Sequence, residues 1–283
     1  MTAISFEFFP PKSSDAKKNL IETAQNLSKH DPGYFSVTFG AGGSTQSHTP
    51  QTVKALQQIT KIPTAPHISC IGSTPHHIKA MLDDYKENAI NSLVALRGDM
   101  PSGSGNDAGE FKYASELIHF IRESTNDYFD IHVAAYPECH PETQHPQKDL
   151  LNFKKKVDAG ASSAITQYFY NADAYEQFLC NCAKLNIDIP IIPGIMPITN
   201  FIQLNRFSRM CGAEIPQWIR LQLESYGDDL ESIKAFGADI VTRLCERLLK
   251  LGAPGLHFYT LNKEKPTTEI LKRLDLRVPE TLH

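Results

Sequence analysis

Short runs rich in β-branched and aromatic residues alternate with longer segments of helical period along the whole sequence, and this alternation most restricts the fold. A strand followed by a helical crossover brings the next strand in parallel, so such a chain builds a parallel sheet covered by helices. Eight such runs are read, at residues 3–9, 34–39, 64–71, 92–96, 131–136, 163–169, 189–195 and 255–261. The helical segments between them include 13–28, opening on the capping residue Ser13; 74–88, with Pro75 in its first turn; and 228–251. Eight strand–helix units predict an α/β fold, a (β/α)8 TIM barrel. The interval 195–255 is long for one crossover, so extra helices are expected before the last strand, with breaks at Pro197 and Pro216. No Gly/Ser/Pro-rich linker divides the 283 residues, and a single domain is expected. The segment 101–109, PSGSGNDAG, reads as the one flexible insertion.

Charge narrows the partners. The 28 Lys and Arg nearly balance 32 Asp and Glu, for a net charge of −4, and no basic block is present. That argues against nucleic acid or an anionic membrane and for small-molecule substrates. No apolar run approaches the roughly 18 residues that span a bilayer. Glu7, Pro10 and Pro11 interrupt the start of the chain, so neither signal peptide nor membrane anchor is expected. Cys70, Cys139, Cys180, Cys182, Cys211 and Cys245 are expected to be reduced, in a cytoplasmic protein.

In a βα barrel, chemistry sits at the carboxyl ends of the strands, so polar residues late in apolar runs are informative. In the first run Ser5 and Glu7 share one face, with Phe6 and Phe8 on the other. Desolvation among aromatics is expected to raise the Glu7 pKa, as a general acid requires; a structural ion pair with a neighbouring Lys or Arg is the alternative. The second run ends in Thr38, Phe39 and glycines that fail the dinucleotide spacing G-x-G-x-x-G, because Thr45 takes the last position. They read instead as a low loop beside Thr38. His67 lies in the third run, and Arg97, Gly98 and Asp99 end the fourth, where a local salt bridge is the competing reading. The fifth ends in a cluster from Tyr136 through Glu138 and Cys139 to His140; the sixth offers Gln167 to a heterocycle edge.

Metal binding at His140 and His145 is discounted, since neither H-E-x-x-H nor paired C-x-x-C occurs. Cys180 and Cys182 lie about 200° apart on a helix and cannot chelate together. Thiol catalysis by Cys70 or Cys139 is likewise set aside. Along 147–158, Asp149, Asn152 and Lys156 fall within about 60° of one another, with Leu150, Leu151, Phe153 and Val157 on the adjoining side. This stripe suits either a solvated helix or an extended ligand, with an ammonium from Lys155 or Lys156 on a diphosphate.

The motifs at 5–12 (SFEFFPPK), 95–99 (ALRGD), 134–138 (AAYPE), 156–161 (KVDAGA), 165–167 (ITQ), 193–197 (PGIMP) and 257–262 (HFYTLN) together resemble the bacterial methylenetetrahydrofolate reductase family. The likeness covers residues 4–278 and implies that 1–283 form one catalytic barrel binding FAD non-covalently. It places Thr38, Phe39, His67, Arg97, Gly98, Asp99, Tyr113, Ala114, Tyr136, His140, Asp149, Asn152, Lys155 and Lys156 around FAD. Glu7 matches the proton donor and Asp99 the stabiliser of the substrate cation. Thr38, Asp99, Gln167, Gln203, Phe207 and Lys263 match substrate contacts.

The implied chemistry is ping-pong. NADH or NADPH, with NADH preferred, gives hydride to the flavin and departs. Then 5,10-methylenetetrahydrofolate takes its place, Glu7 protonates N10, the ring opens to an N5 iminium and hydride delivery yields 5-methyltetrahydrofolate for methionine synthesis. Phe39 stands where relatives often have Tyr, and the insertion at 101–109 blurs the alignment of Tyr113 and Ala114. A regulatory domain responding to S-adenosylmethionine is not expected; a homo-oligomer is. The competing functions are a methyltransferase on a similar barrel and a non-catalytic folate carrier.

Overall fold

Seven of the eight expected β-rich runs each form one parallel strand, and the eighth forms two, in the computed structural model, which describes residues 2–39, 48–98, 109–143 and 145–276. The strands are β1 (Ala3–Phe8), β2 (Tyr34–Val37), β3 (Thr64–Ser69), β4 (Ser92–Leu96), β5 (Asp130–Ala135), β6 (Ser163–Thr166), β7 (Ile191–Ile192), β8 (Gly194–Ile195) and β9 (Gly255–Tyr259). Hydrogen bonding orders them β7-β6-β5-β4-β3-β2-β1-β9-β8. The run at 189–195 divides into β7 and β8 around Pro193, which has no N–H to donate to a ladder. Because β7 pairs with β6 while β8 pairs with β9, this one segment closes the ring and the nine strands make eight staves.

Helices follow the strands: α1 (Ser14–Ser28), α2 (His48–Thr60), α3 (Pro75–Glu87), α4 (Ala114–Thr125), α5 (Pro146–Asp158) and α6 (Ala172–Lys184). Three more, α7 (Phe201–Cys211), α8 (Gln217–Ser225) and α9 (Leu230–Lys250), fill the long interval before β9, and α10 (Lys265–Arg273) follows it. Side chains set the starts: Ser13 Oγ accepts from Ala16 N–H, Thr74 Oγ1 from His77 N–H, and Asp229 Oδ1 from Glu231 and Ser232. Pro216 stands at the α8 N-cap, as its fixed φ allows.

The alternation in β1 sorts two environments. Phe6 and Phe8 bury their rings with Phe35, and Phe6 also meets Phe258, in the layer between barrel and helices. Ser5 and Glu7 therefore turn into the barrel. Inside, Ala65, Val94 and Ile165 pack with Tyr34, Leu96 and Tyr259. The taper is tight at Gly194, where a Cβ would lie 2.2 Å from the Thr166 carbonyl oxygen and 2.6 Å from the Tyr259 ring. Tyr259 Oη uses that closeness to donate to the same carbonyl at 2.7 Å. No helix among the described residues is long and apolar enough to cross a membrane.

Candidate active site

Glu7 lies late in β1, near its carboxyl end, with its side chain only 18% exposed. Its Oε2 stands 3.3 Å from His67 Nε2 of β3 and 3.7 Å from His257 Nε2 of β9. Burial by itself pushes the carboxyl up, yet the charge of His67 and the contacts with both imidazoles outweigh it and hold Glu7 down at about 2. The upward shift expected from the sequence is therefore overturned. That expectation counted desolvation by the aromatics and had no view of two histidines arriving from other strands. Nor is the partner a Lys or Arg.

The histidines are themselves held. His257 Nδ1 and Ser5 Oγ share a 2.7 Å hydrogen bond. Tyr34 stacks with His257, their ring centroids 5.8 Å apart, and with His132 at 4.8 Å. His132 Nδ1 meets Ser163 Oγ at 2.6 Å. Burial, reinforced by His257 and His67, lowers the His132 pKa to about 4, so this ring is neutral at pH 7. Neither His67 Nε2 nor His257 Nε2 makes a well-aligned hydrogen bond, although both are buried. Two buried imidazole nitrogens beside one carboxylate are thus available to a ligand arriving above it.

Sequence reasoning missed His257, His132 and Tyr34 as parts of this assembly. A signal existed for His257 and Tyr259, which alternate with Leu256 and Phe258 in an otherwise apolar run. For His132 and Tyr34 the signal was weaker, since each sits early in its strand, below the rim.

Around the mouth, Thr38 follows β2, its N–H bonded to the Phe8 carbonyl and its carbonyl accepting from Thr49 Oγ1. Phe39 is half-buried beside it in sequence. After β4, Arg97 Nη2 pairs with Glu142 at 2.5 Å, joining two rim loops. Gly98 has φ +86, and a Cβ there would strike Ser69 Oγ at 1.9 Å, so only glycine lets this loop lie against β3. Asp99, and residues 101–108 of the expected insertion, lie outside the described residues. Gln167 follows β6, its Oε1 accepting from the Tyr168 N–H.

A second group gathers beyond β5. Tyr136 and His140 meet edge to face at 4.6 Å, and Asp149 Oδ2 accepts from the His140 N–H at 2.9 Å. Lys156 Nζ donates to the Ala134 carbonyl at 2.5 Å. Burial lowers its pKa to about 8, only partly offset by Asp149, leaving an ammonium short of negative charge. A cavity of about 580 Å³ runs from Tyr136 and Asp149 between α5 and α6 to Lys184. Leu151, expected on the apolar side of α5, is half-exposed there and lines this cavity.

Other expected positions are more dispersed. Asn152 is half-buried on α5 and Lys155 is exposed. Tyr113, 58% exposed, caps α4, and Ala114 is buried as its first residue. Gln203 and Phe207 lie four apart on one face of α7, and Lys263 is exposed after β9. All six cysteines are free thiols, and no cluster able to hold a metal occurs among the described residues.

The family model described as methylenetetrahydrofolate reductase matches residues 1–275. The chain belongs to the methylenetetrahydrofolate reductase family. It is 41% identical over 274 residues to 5,10-methylenetetrahydrofolate reductase of Escherichia coli K12, covering 97% of this chain and 91% of that one. It is 38% identical to methylenetetrahydrofolate reductase (NADH) 1 of Arabidopsis thaliana, covering 97% of this chain and 48% of the longer plant protein. Among solved structures, a Clostridium thermocellum protein that binds two copies of 5-methyl-5,6,7,8-tetrahydrofolic acid superposes with a TM-score of 0.65. At 19% identity, over 97% of this chain and 94% of that one, it shares the barrel fold.

Proposed function

We propose that this protein reduces 5,10-methylenetetrahydrofolate to 5-methyltetrahydrofolate in the cytoplasm, with non-covalent FAD and with NADH as reductant, supplying methyl groups for methionine synthesis. The observation that carries the reading is the shielded Glu7 carboxylate between His67 and His257 inside the barrel. The site also fits FAD chemically. The half-buried Lys156 ammonium lacks a full counter-charge, and a diphosphate would supply one. Tyr136, His140 and Asp149 stand beside it, with Thr38, Arg97 and Gly98 on the neighbouring rim loops.

Bound FAD supplies the two-electron relay between nicotinamide and folate. The chain's own residues orient the substrates and manage a proton. At a pKa of about 2, Glu7 alone is almost never protonated near neutral pH, so the proton it delivers belongs to the Glu7–His67–His257 set as a coupled unit. A folate covering the mouth excludes water and disfavours separated charges, shifting that proton towards Glu7 and then to folate N10. Ser5 orients His257 through its Nδ1. Asp99 is assigned to stabilising the resulting cation, and Gln167, Gln203, Phe207 and Lys263 to holding the substrate.

Anaerobic half-reactions test this. Glu7→Gln is expected to keep flavin reduction by NADH within about twofold and to lose folate reduction by about 100-fold or more. Normal folate turnover in that variant would refute the acid role, and a protein that cannot be reconstituted with FAD would refute the flavin reading.

A further inference from the structure

One half-buried acid near the mouth takes no part in the chemistry above. Glu138, in the loop after β5, accepts through Oε2 from the Glu214 N–H at 2.8 Å. Its Oε1 is buried without a partner. Glu214 lies just beyond α7, the helix that carries Gln203 and Phe207. Two further contacts knit the same seam. Tyr168 Oη and Ser208 Oγ are 3.0 Å apart, joining the residue after Gln167 to the last turn of α7. Gly212, at φ +77, ends that helix so close to the loop that a Cβ would sit 3.2 Å from Pro141. Glu138, Gln167, Tyr168 and Cys211 line one small cavity at this junction.

The Glu138 loop also carries Tyr136 and His140, on the side assigned to the flavin. A carboxyl thus bridges the flavin side of the mouth to the helix assigned to folate. We propose that Glu138 is a positioning residue, which through the Glu214 amide sets the seat of α7 and so the placement of Gln203 and Phe207 for folate.

The inference rests on the reductase reading for its substrate. Burying an acid at this seam is costly: burial, with the Glu214 carboxylate adding repulsion and its N–H giving partial relief, lifts Glu138 to about 7. The titratable groups facing it are Tyr168 after β6, Cys211 on α7, Tyr136 and Cys139 in its own loop, and Glu214. Ionised, it accepts the amide more strongly than when protonated. The hold on α7 therefore weakens as pH falls through about 7.

The test uses the flavin-loaded protein and two variants. Glu138→Ala is expected to raise KM for methylenetetrahydrofolate, and Kd for 5-methyltetrahydrofolate, by about tenfold, the effect of losing one hydrogen bond to a charged group. Flavin reduction by NADH stays within about twofold, and exchange of the Glu214 amide accelerates. Glu138→Gln keeps an acceptor and restores KM at pH 7. The wild-type KM rises as pH drops from about 8 to about 6, relative to a Glu138→Gln variant that lacks this titration. Equal loss in both half-reactions, or a tightly held folate despite faster Glu214 exchange, overturns the proposal. So does a Glu138→Gln profile that follows the wild type, a result available even if the alanine variant fails to fold. A wild-type protein that turns over no methylenetetrahydrofolate sinks the reductase reading. Glu138 is then judged on 5-methyltetrahydrofolate affinity, and an unchanged Kd in Glu138→Ala overturns it.

Discussion

Replacing Glu7 by Gln removes the charge that His67 and His257 hold in place, and stability should record the loss as a function of pH. The carboxyl titrates from an ordinary 4.5 in the unfolded chain to about 2 in the fold. A group whose folded pKa is depressed contributes stability above its unfolded pKa and loses it as pH falls through the folded one. At 1.36 kcal/mol per unit, the contribution is about 3 kcal/mol at about pH 5 and about 1 kcal/mol at about pH 3. The low exposure of this side chain argues against discounting the shift for solvent. Urea unfolding of ligand-free protein, followed by far-UV circular dichroism at several pH values between these, gives the difference between wild type and Glu7→Gln. A wild-type advantage that narrows by about 2 kcal/mol from about pH 5 to about pH 3 matches the clamp. A constant difference across that range, or none, means that the imidazoles do not hold this carboxylate below its ordinary pKa; an advantage that widens towards pH 3 means that burial dominates.

Two other outcomes follow from packing and charge. Gly194→Ala places a methyl against the Thr166 carbonyl and the Tyr259 ring, so thermal unfolding should show a loss of about 3 kcal/mol or more. A change within about 0.5 kcal/mol would show that β8 can move away. Lys156→Met should weaken FAD binding about tenfold by fluorescence titration, as loss of one charge-assisted contact does. Wild-type affinity should fall as pH rises above about 8, where the ammonium deprotonates, while the Met variant lacks that dependence. Equal FAD affinity in both proteins would remove Lys156 from the cofactor site.

Much of the barrel was legible because strand and helix periods are local properties. The run at 92–96 became β4 unchanged and that at 255–261 became β9 with a shorter end, Ser13 caps α1 as expected, and α3 and α9 start one and two residues inside the segments expected at 74–88 and 228–251. The division of 189–195 into β7 and β8 was less visible. A proline inside a short apolar run does not reveal that the two halves pair with different neighbours. The site was legible in part for the same reason: Glu7, His67 and Arg97 stand out as polar groups late in apolar runs. His132 and Tyr34, early in theirs, do not.

Sequence by itself determined the alternation of strand and helix, the face on which Ser5 and Glu7 lie, and the family to which the chain belongs, since all three depend on the order of side chains along one strand or motif. Tertiary structure decided the charge of Glu7. His67 and His257 are 60 and 250 residues away from it in the chain. Only closure of the ring brings β3 and β9 round to β1, and electrostatic energy depends on separation in space. Burial, the effect that a reader of the sequence expects first, raises the pKa; the imidazoles that the fold delivers pull it below its ordinary value.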